Sequence, residues 1–289
     1  KAKETDAELV MASDPDADRV GAAVKNNEGE WVLLNGNQTA LMFVYYLITR
    51  WKELGKINGK EYIVKTIVTT ETIKTIAERN GVEMYDVYTG FKWIANVMRE
   101  NEGKKNYIGG GEESYGFLCE DFVRDKDAVS ACVILAEIAA WAKDQGLSLY
   151  QLLQKIYVEY GFSKEKGISV VKKGKSGAEE IEAMMKKFRE NPLTEIAGSK
   201  VTYFYDYSTL KGKDYAENET VTLDMPTTSN VLQYFTEDNT KVSIRPSGTE
   251  PKIKFYCEVH SKVKSIDELP EAEKAAEEKI NQIKASLGI

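Results

Sequence analysis

The sequence predicts an α/β protein: a doubly wound domain with a mixed or parallel sheet, preceded by the tail of another domain and followed by a C-terminal α+β domain with a mainly antiparallel sheet. Three observations support this fold class. Strands alternate with helices through the middle of the chain, which is typical of doubly wound sheets. Several strand-like runs bounded by two helices follow Gly161, and three strands stand before residue 38. We therefore expect the domains to be 1–38, 39–162 and 163–289.

The first predicted elements are three strands that cannot bury both faces of a sheet by themselves. A buried strand at 7–12 leads into an acidic loop, and two further strands, 20–24 and 31–34, are joined by a turn at 26–29. We expect this segment to be the end of a domain whose beginning is missing from the chain. The first residue, Lys1 instead of Met, favours the same interpretation.

In the middle of the chain, helical and strand-like patterns alternate. The predicted helices are 37–54, 71–79, 92–100, 128–144 and 149–160, and the predicted strands are 62–69, 82–88 and 106–108. Ligands of doubly wound folds bind at the carboxyl ends of the strands. The turn Thr89-Gly90 and a glycine-rich loop at 109–116 both follow predicted strands, so we expect both at a binding edge.

The last domain combines strands of antiparallel character with a helix near each end. Its predicted strands are 168–171, 200–207, 220–223, 231–235, 241–244 and 252–259, and its predicted helices are 178–189 and 268–287. Runs of strands bounded by helices are typical of α+β domains.

Composition excludes several classes of function. The chain of 289 residues has a formal net charge of −7 and a pI near 5.2, which argues against general nucleic-acid binding. No apolar run approaches the length of a membrane span, so we expect no membrane partner. Cys119, Cys132 and Cys257 form no CxxC pair, which favours free thiols in a reducing compartment and a cytoplasmic protein.

The acidic loop after the first strand predicts a site for a divalent cation. Asp14, Asp16 and Asp18 place three carboxylates at alternate positions, and Arg19 follows at once. Crowded carboxylates repel each other unless a cation compensates them, and oxygen ligands suit Mg²⁺ or Ca²⁺. An EF-hand loop would need Gly at its sixth and Glu at its twelfth position, where this chain has Arg19 and Lys25. The alternative is an ordinary turn, since Asp and Pro are common turn residues.

A second stretch, Arg245-Pro246-Ser247-Gly248-Thr249, follows a predicted strand and suits a phosphate group. A guanidinium binds phosphate through two parallel hydrogen bonds, and backbone N–H groups that turn toward an anion can complete the site. The stretch is not a Walker loop, which needs GxxxxGK[ST]. A plain turn is the alternative here.

Three further stretches are weaker signals when each is taken alone. Gly111-Glu112-Glu113-Ser114 offers carboxylates and a hydroxyl that can hydrogen-bond to a polyol, and a surface turn is the alternative. Thr89-Gly90-Phe91-Lys92 and Arg124-Asp125-Lys126-Asp127 each fit the solvated start of a helix.

Taken together and in this order, the five stretches resemble the α-D-phosphohexomutase family, which includes phosphoglucomutases and phosphomannomutases. The matching stretches are DPDADR (14–19), TGFKW (89–93), GEESYGF (111–117), RDKDAVSA (124–131) and RPSGTEPKIKFY (245–256). TGFKW and DKDAVSA are most similar to the branch that contains phosphoglucomutase-2 and phosphopentomutase. The resemblance implies the end of the family's second domain, its sugar-binding third domain and its phosphate-binding fourth domain.

The resemblance also implies roles for individual residues. It implies that Asp14, Asp16 and Asp18 bind Mg²⁺ and that Arg19 acts beside them in catalysis by offsetting surplus negative charge. The residues implied in binding the phosphosugar are Glu112 and Ser114 on the sugar, Thr89 and Gly90 in the specificity turn, Lys92 and Lys126 near the phosphates, and Arg245, Ser247, Gly248 and Thr249 on the phosphate that is not transferred.

Two departures from the family limit what this chain can do. The family's phosphorylated serine lies in a Thr-x-Ser-His-Asn-Pro-like motif that does not occur here, so we predict that this chain alone does not interconvert glucose or mannose 1- and 6-phosphates through a bisphosphate intermediate. Some relatives place a histidine at the end of the sugar loop, where this chain reads Ser114-Tyr115-Gly116-Phe117. Lys126 is then the candidate acid or base, provided that burial or a neighbouring cation lowers its pKa.

Other functions remain open from the sequence. Within the family, the alternatives are a phosphopentomutase or a phosphoglucosamine mutase. Outside it, the alternatives are a non-catalytic module that binds sugar phosphates and a Ca²⁺-dependent interaction domain.

Overall fold

The structure is a computed structural model that divides into two compact units. The residues that it describes are 1–172, 174–248 and 250–289, without the side chain of Lys175. Unit 1 is Lys1–Gly161 and unit 2 is Phe162–Ile289. The finer division of the chain into three domains stays a prediction.

Unit 1 begins with a small antiparallel sheet that carries the acidic loop. Its strands are β1 (Leu9–Ser13), β2 (Val20–Lys25) and β3 (Trp31–Leu34), in the order β1-β2-β3. Along β2 buried and half-buried residues alternate, because successive side chains of a strand point to opposite faces. The acidic loop is the connection between β1 and β2.

The main sheet of unit 1 is mixed, with order β5-β4-β6-β7. Its strands are β4 (Glu61–Thr66), β5 (Glu83–Val87), β6 (Asn106–Gly111) and β7 (Phe117–Cys119). Both β5 and β6 run parallel to the central β4, and β7 is antiparallel to β6. The carboxyl ends of the three parallel strands therefore lie at one edge of the sheet.

Five helices complete unit 1, and the first four of them contact strands of the main sheet. They are α1 (Gly36–Glu53), α2 (Thr72–Arg79), α3 (Phe91–Asn101), α4 (Ala128–Asp144) and α5 (Leu149–Tyr160). A capping box of Asn35 and Gln38 starts α1, and the Asp127 carboxylate caps α4. No helix in the described part of the chain combines the length and the apolar character that crossing a membrane requires.

Unit 2 is an antiparallel sheet with two long helices. Its strands are β8 (Phe162–Val171), β9 (Glu195–Ile196), β10 (Ser199–Asp206), β11 (Lys211–Asp214), β12 (Glu219–Thr222), β13 (Leu232–Thr236), β14 (Lys241–Pro246) and β15 (Lys252–Ser261). The order is β12-β11-β10-β13-β14-β15-β8, with β9 paired to β10, and every pair is antiparallel. Helix α6 is Gly174–Glu190, and a short 3₁₀ turn at Ile266–Glu268 leads into α7 (Leu269–Leu287). The predicted fold class is confirmed.

Two strands extend three or more residues beyond the range that the sequence predicts. Strand β6 continues through the glycines to Gly111, whereas the sequence predicts a loop from residue 109. Glycine is required there because a Cβ on Gly110 would lie 2.4 Å from the carbonyl oxygen of Val64 on the neighbouring strand. Strand β8 begins six residues before its predicted start at 168, because β15 pairs with it along its whole length in spite of its polar first half.

Candidate active site

The acidic loop between β1 and β2 is a tight turn. The backbone N–H of Asp14 donates to the carbonyl of Arg19 over 3.3 Å and closes the loop. The Oδ1 atom of Asp14 accepts hydrogen bonds from the backbone N–H groups of Asp18 and Arg19, at 3.1 and 3.2 Å. Burial raises the pKa of Asp14, but these backbone bonds outweigh it, so the pKa lies below its ordinary value of 3.8. Asp14 thus stabilises the turn, while Asp16 lies exposed at its tip.

An ion pair joins this loop to the segment before α4. The Nζ atom of Lys126 lies 2.5 Å from Oδ2 of Asp18 and 3.3 Å from Oδ1 of Asp125. The Lys126 side chain is 14% exposed and that of Asp18 is 24% exposed. The other oxygen of Asp18, Oδ1, is 3.7 Å from Nε of Arg19. That Oδ1 atom is shielded from solvent and accepts no hydrogen bond.

The expected lowering of the Lys126 pKa is wrong. Burial does oppose the ammonium charge and lowers the pKa, but the hydrogen bonds to Asp18 and Asp125 outweigh it, so the pKa lies above its ordinary value of 10.5. The sequence could not show this, because the neighbours of Lys126 are anions brought together only by folding. The raised pKa favours the ammonium form of Lys126, which can bind an anion or donate a proton, over the neutral form that a base requires.

Backbone pairing holds the acidic loop against the loop that follows β6. Arg19 pairs with Gly116 in an isolated antiparallel bridge. The first N–H of α4, on Ala128, donates to the carbonyl of Ala17 over 3.0 Å. The structure thus brings together three of the stretches that the sequence singles out, namely 14–19, 111–117 and 124–131.

The turn at Thr89-Gly90 joins the same edge through Glu112. Glu112 directly follows β6, and its side chain is buried, with 7% of the residue exposed. Its Oε1 atom accepts a hydrogen bond from the backbone N–H of Gly90 over 2.8 Å. The φ angle of Gly90 is 111°, a conformation that side chains other than hydrogen rarely permit. Thr89 and Ser114 are half-buried in the two turns that this bond connects.

Lys92 lies in the first turn of α3, just after this turn. Its ammonium is 5.0 Å from the centre of the Trp93 ring, and the residue is exposed. A cation over an aromatic face is attracted by the ring, which favours this orientation of the side chain. The exposed ammonium remains accessible to an anion.

Two residues that the sequence analysis did not assign support this edge. A Cβ on Gly116 would lie 2.7 Å from Cδ of Lys126, so the absence of a side chain makes room for the lysine stem. Asp125 accepts from the backbone N–H of Lys126 over 2.8 Å and adds a second carboxylate beside its ammonium. The glycine in GEESYGF could have indicated the close approach of another chain segment, but not which one.

In unit 2, the predicted phosphate loop connects β14 to β15. Arg245 is the last residue but one of β14 and pairs with Lys254 of β15. The backbone N–H of Ser247 donates to the carbonyl of Lys252 over 2.8 Å, and the Oγ atom of Ser247 accepts from the N–H of Glu250 over 3.3 Å. Thr249 lies outside the described residues, so its predicted role has no structural account.

A cleft of about 610 Å³ borders this loop within unit 2. It lies between α6, which contributes Ile181, Met185 and Arg189, and two residues on the other side, Ser247 of the loop and Lys252 at the start of β15. The half-buried Arg245 and exposed Gly248 belong to the same connection. The cleft is lined by acidic as well as cationic side chains, because Glu182, Glu190 and Glu250 border it together with Lys186, Arg189 and Lys252.

The carboxylates of the acidic loop have the chemistry that Mg²⁺ prefers but are not gathered around one point. Within the described ranges, no group of three or more His, Cys, Asp or Glu side chains is arranged to hold a metal ion. The hydrogen-bond acceptor Oδ1 of Asp18 nevertheless lacks a donor, which fits an oxygen that ligates a cation. By the chemistry of their carboxylate oxygens, Asp14, Asp16 and Asp18 fit Mg²⁺ as ligands.

Comparisons with known proteins agree with this arrangement. Residues 35–160 match the family described as phosphoglucomutase/phosphomannomutase, alpha/beta/alpha domain III, and residues 169–276 match its C-terminal domain. The chain belongs to the phosphoglucomutase/phosphomannomutase family. It matches the C-terminal half of that family, as the resemblance of its five stretches predicts.

Individual relatives show the same extent of similarity. A phosphoglucomutase from Staphylococcus haemolyticus is 34% identical over 260 residues, which covers 90% of this chain and 46% of the relative. A phosphoglucomutase from Staphylococcus aureus is 38% identical over 255 residues, 88% of this chain and 45% of the relative. The chain thus spans about half the length of the curated relatives it matches.

Solved structures show the same fold at lower identity. The crystal structure of a putative phosphomannomutase from Thermus thermophilus has a TM-score of 0.57 at 20% identity, covering 93% of this chain and 46% of that one. The phosphoglucomutase parafusin from Paramecium has a TM-score of 0.58 at 17% identity, covering 96% of this chain and 45% of that one.

Proposed function

We propose that this chain is the C-terminal half of a phosphohexomutase, an isomerase that interconverts sugar 1-phosphates and 6-phosphates, with glucose or mannose phosphates as substrates. The observation that carries the proposal is the meeting of the acidic loop, the sugar loop and Lys126 at one edge of the unit 1 sheet. The relatives named phosphoglucomutase favour glucose phosphates. Membership of the branch with phosphoglucomutase-2 and phosphopentomutase stays a prediction.

In unit 1, the proposed sugar contacts come from two turns. The Gly90 bond holds one oxygen of the Glu112 carboxylate, so its other oxygen is oriented for a sugar hydroxyl. Ser114 adds a hydroxyl that can donate or accept, and Thr89 and Gly90 shape the space beside it. These short, fixed contacts would orient the ring before any phosphoryl transfer.

The phosphates would be bound by cations. Lys92 and Lys126 offer ammonium groups at the unit 1 edge, and the transferring phosphoryl group carries negative charge that such groups stabilise. In unit 2, Arg245, Ser247 and Gly248 would bind the phosphate that is not transferred, together with Thr249. Because either end of the sugar can carry that phosphate, the substrate would bind in two orientations.

Asp14, Asp16 and Asp18 would hold Mg²⁺, which supplies Lewis-acid polarisation of a phosphoryl oxygen when it is bound. Arg19, 3.7 Å from Asp18, would offset the surplus negative charge of the three carboxylates. The phosphoryl donor would be a phosphoserine of the longer protein, which makes that protein a phosphoprotein. Transfer from this serine would give a sugar bisphosphate, and the other phosphate would then return to the serine.

The test separates binding from turnover. We expect the purified 289-residue chain to bind glucose 6-phosphate in a calorimetric titration and to show no conversion of glucose 1-phosphate in a coupled assay. Robust conversion of glucose 1-phosphate by this chain would contradict the proposal that turnover needs the serine of the longer protein. Absence of glucose 6-phosphate binding would contradict the proposed binding site. The longer protein, assayed against hexose, pentose and glucosamine 1-phosphates, then tests the phosphopentomutase and phosphoglucosamine mutase alternatives.

A non-catalytic sugar-phosphate binding module is the alternative of a different class. It predicts the same binding by the 289-residue chain and no turnover by any longer product of the gene. We further propose a cytoplasmic location, supported by Cys119, Cys132 and Cys257, all of which are free thiols. Neither nucleic acid nor a membrane is proposed as a partner.

A further inference from the structure

Lys126 forms an ion pair with Asp18, one of the carboxylates that would bind the proposed metal. Its ammonium contacts Oδ2 of Asp18 at 2.5 Å, while Oδ1 of the same carboxylate lacks a hydrogen-bond donor. The lysine stem reaches this position over Gly116, where an added Cβ would come within 2.7 Å of it. The contact therefore depends on a specific path for the side chain, not only on the nearness of two charges.

A divalent cation and an ammonium compete for one carboxylate. Two positive charges bound to one carboxylate repel each other, and the repulsion is stronger in a site shielded from water than in bulk solvent. Metal binding at Asp18 would therefore displace the Lys126 ammonium. If the ammonium stayed in place, the affinity of the site for the metal would be lower. The displaced ammonium would lie next to the sugar loop, since its stem already lies against Gly116.

We propose that Lys126 is an exchangeable counter-ion of the acidic loop, bound to Asp18 without metal and transferred to a substrate phosphate when the metal binds. The metal and the phosphosugar then bind cooperatively, because each favours the release of Lys126 from Asp18 toward the sugar loop. This inference rests on the proposed function. It adds that a residue of unit 1 couples the two sites.

The first experiment measures metal affinity without substrate. Mn²⁺, which accepts the same oxygen ligands as Mg²⁺, is titrated into the 289-residue chain and followed by electron paramagnetic resonance. We expect Lys126→Met to bind Mn²⁺ about threefold to tenfold more tightly than the wild type, as the loss of a competing ion pair implies. Lys105→Met is the matched control, because it removes a lysine paired with Glu83 at the amino end of β6. We expect no change in that variant.

A second variant separates the contact from the general effect of charge. Gly116→Ala keeps every charge but pushes the Lys126 stem from its path, so we expect tighter Mn²⁺ binding there as well. If Lys126→Met binds Mn²⁺ more tightly and Gly116→Ala does not, long-range charge alone explains the change in affinity. The proposed exchange of Lys126 between Asp18 and the substrate is then overturned. Failure of both variants to bind Mn²⁺ more tightly than the wild type, including no binding by any chain, also overturns it.

The second experiment measures the coupling itself. We expect saturating Mg²⁺ to tighten glucose 6-phosphate binding by about fivefold or more in the wild type, and this factor to approach one in Lys126→Met. If Mg²⁺ tightens glucose 6-phosphate binding in Lys126→Met as much as in the wild type, the inference is overturned. If glucose 6-phosphate does not bind at all, the proposed function is wrong. The Mn²⁺ titrations test the competition between Lys126 and the metal independently of that result.

Discussion

At the amino end of the β5-β4-β6-β7 sheet, the Glu61 carboxylate accepts four hydrogen bonds, whereas beside the carboxyl end one oxygen of Asp18 accepts none. The backbone N–H groups of residues 58–60 donate to Oε2 of Glu61 at 2.8 to 3.1 Å. The amide of Asn106 donates to its Oε1 at 3.0 Å. Glu61 is 1% exposed, so these bonds replace nearly all of its water.

The difference shows which charges serve stability and which are available to a ligand. A buried charge contributes to stability when the protein satisfies it, and an unsatisfied one calls for another explanation. At the amino end every oxygen of Glu61 has a donor within the protein. At the other end Asp18 has a cation beside each oxygen, but its Oδ1 atom lacks a hydrogen-bond donor, which is typical of a group that a ligand completes.

The largest effect on stability is expected at the amino end. Glu61→Gln replaces an ionised acceptor by an amide that cannot satisfy all four donors, so we expect a loss of about 2 kcal/mol in the free energy of unfolding. Urea denaturation followed by circular dichroism measures it. Glu83→Gln is the control, since Glu83 pairs with Lys105 on the exposed surface of the same end and should cost less than about 1 kcal/mol. Equal losses of unfolding free energy in Glu61→Gln and Glu83→Gln would contradict the view that the hydrogen bonds of the buried Glu61 carboxylate stabilise the fold.

The contribution of Glu61 should also depend on pH. Burial raises its pKa, but hydrogen bonds from the backbone of residues 58, 59 and 61 and from the Asn106 side chain outweigh burial and hold the pKa below the ordinary value of 4.5. The stabilisation is therefore present above about pH 4.5 and is lost as the pH falls through the lower pKa of the folded protein. We expect the difference in unfolding free energy between wild type and Glu61→Gln to shrink below pH 4.5. A difference that stays constant down to pH 3 would show that ionisation of Glu61 is irrelevant.

A smaller loss of stability is expected at the sugar loop. Glu112→Gln keeps an oxygen for the Gly90 N–H but removes the charge that strengthens this bond, so we expect a loss of about 1 kcal/mol. Glucose 6-phosphate binding should weaken by about tenfold, because the remaining oxygen of Glu112 is proposed to bind the sugar. Glu113→Gln in the same loop is the control and should leave binding nearly unchanged. Weaker binding in the control alone would assign the sugar contact to Glu113 instead.

Much of this site could be predicted from the sequence because its parts are local. The spacing of Asp14, Asp16 and Asp18, and the glycines around Glu112, depend on chain segments of a few residues. The fold class followed from the alternation of strand and helix patterns, which reports how each segment is buried.

The rest depends on contacts between distant segments, which periodicity does not report. The Lys126 pKa rises because folding sets its ammonium beside Asp18, more than a hundred residues earlier in the chain. Strand β8 forms along its polar half because β15 pairs with it there. The extension of β6 through its glycines likewise depends on the close approach of Val64.

The smallest effect on stability is expected from Lys126→Met, although this variant removes the ion pair that joins two parts of the candidate site. The pair is partly exposed, and such pairs contribute little to stability, so we expect a change of less than about 1 kcal/mol in urea denaturation. The pKa of Lys126 is raised, so whatever stabilisation it gives is fully present below pH 10.5 and is lost only as the pH rises through the still higher pKa of the folded state. The difference between wild type and variant should therefore be flat from pH 5 to pH 9, unlike that of Glu61→Gln. A loss as large as that of Glu61→Gln would mean that the carboxyl end is also built for stability, and the contrast between the two ends would fail.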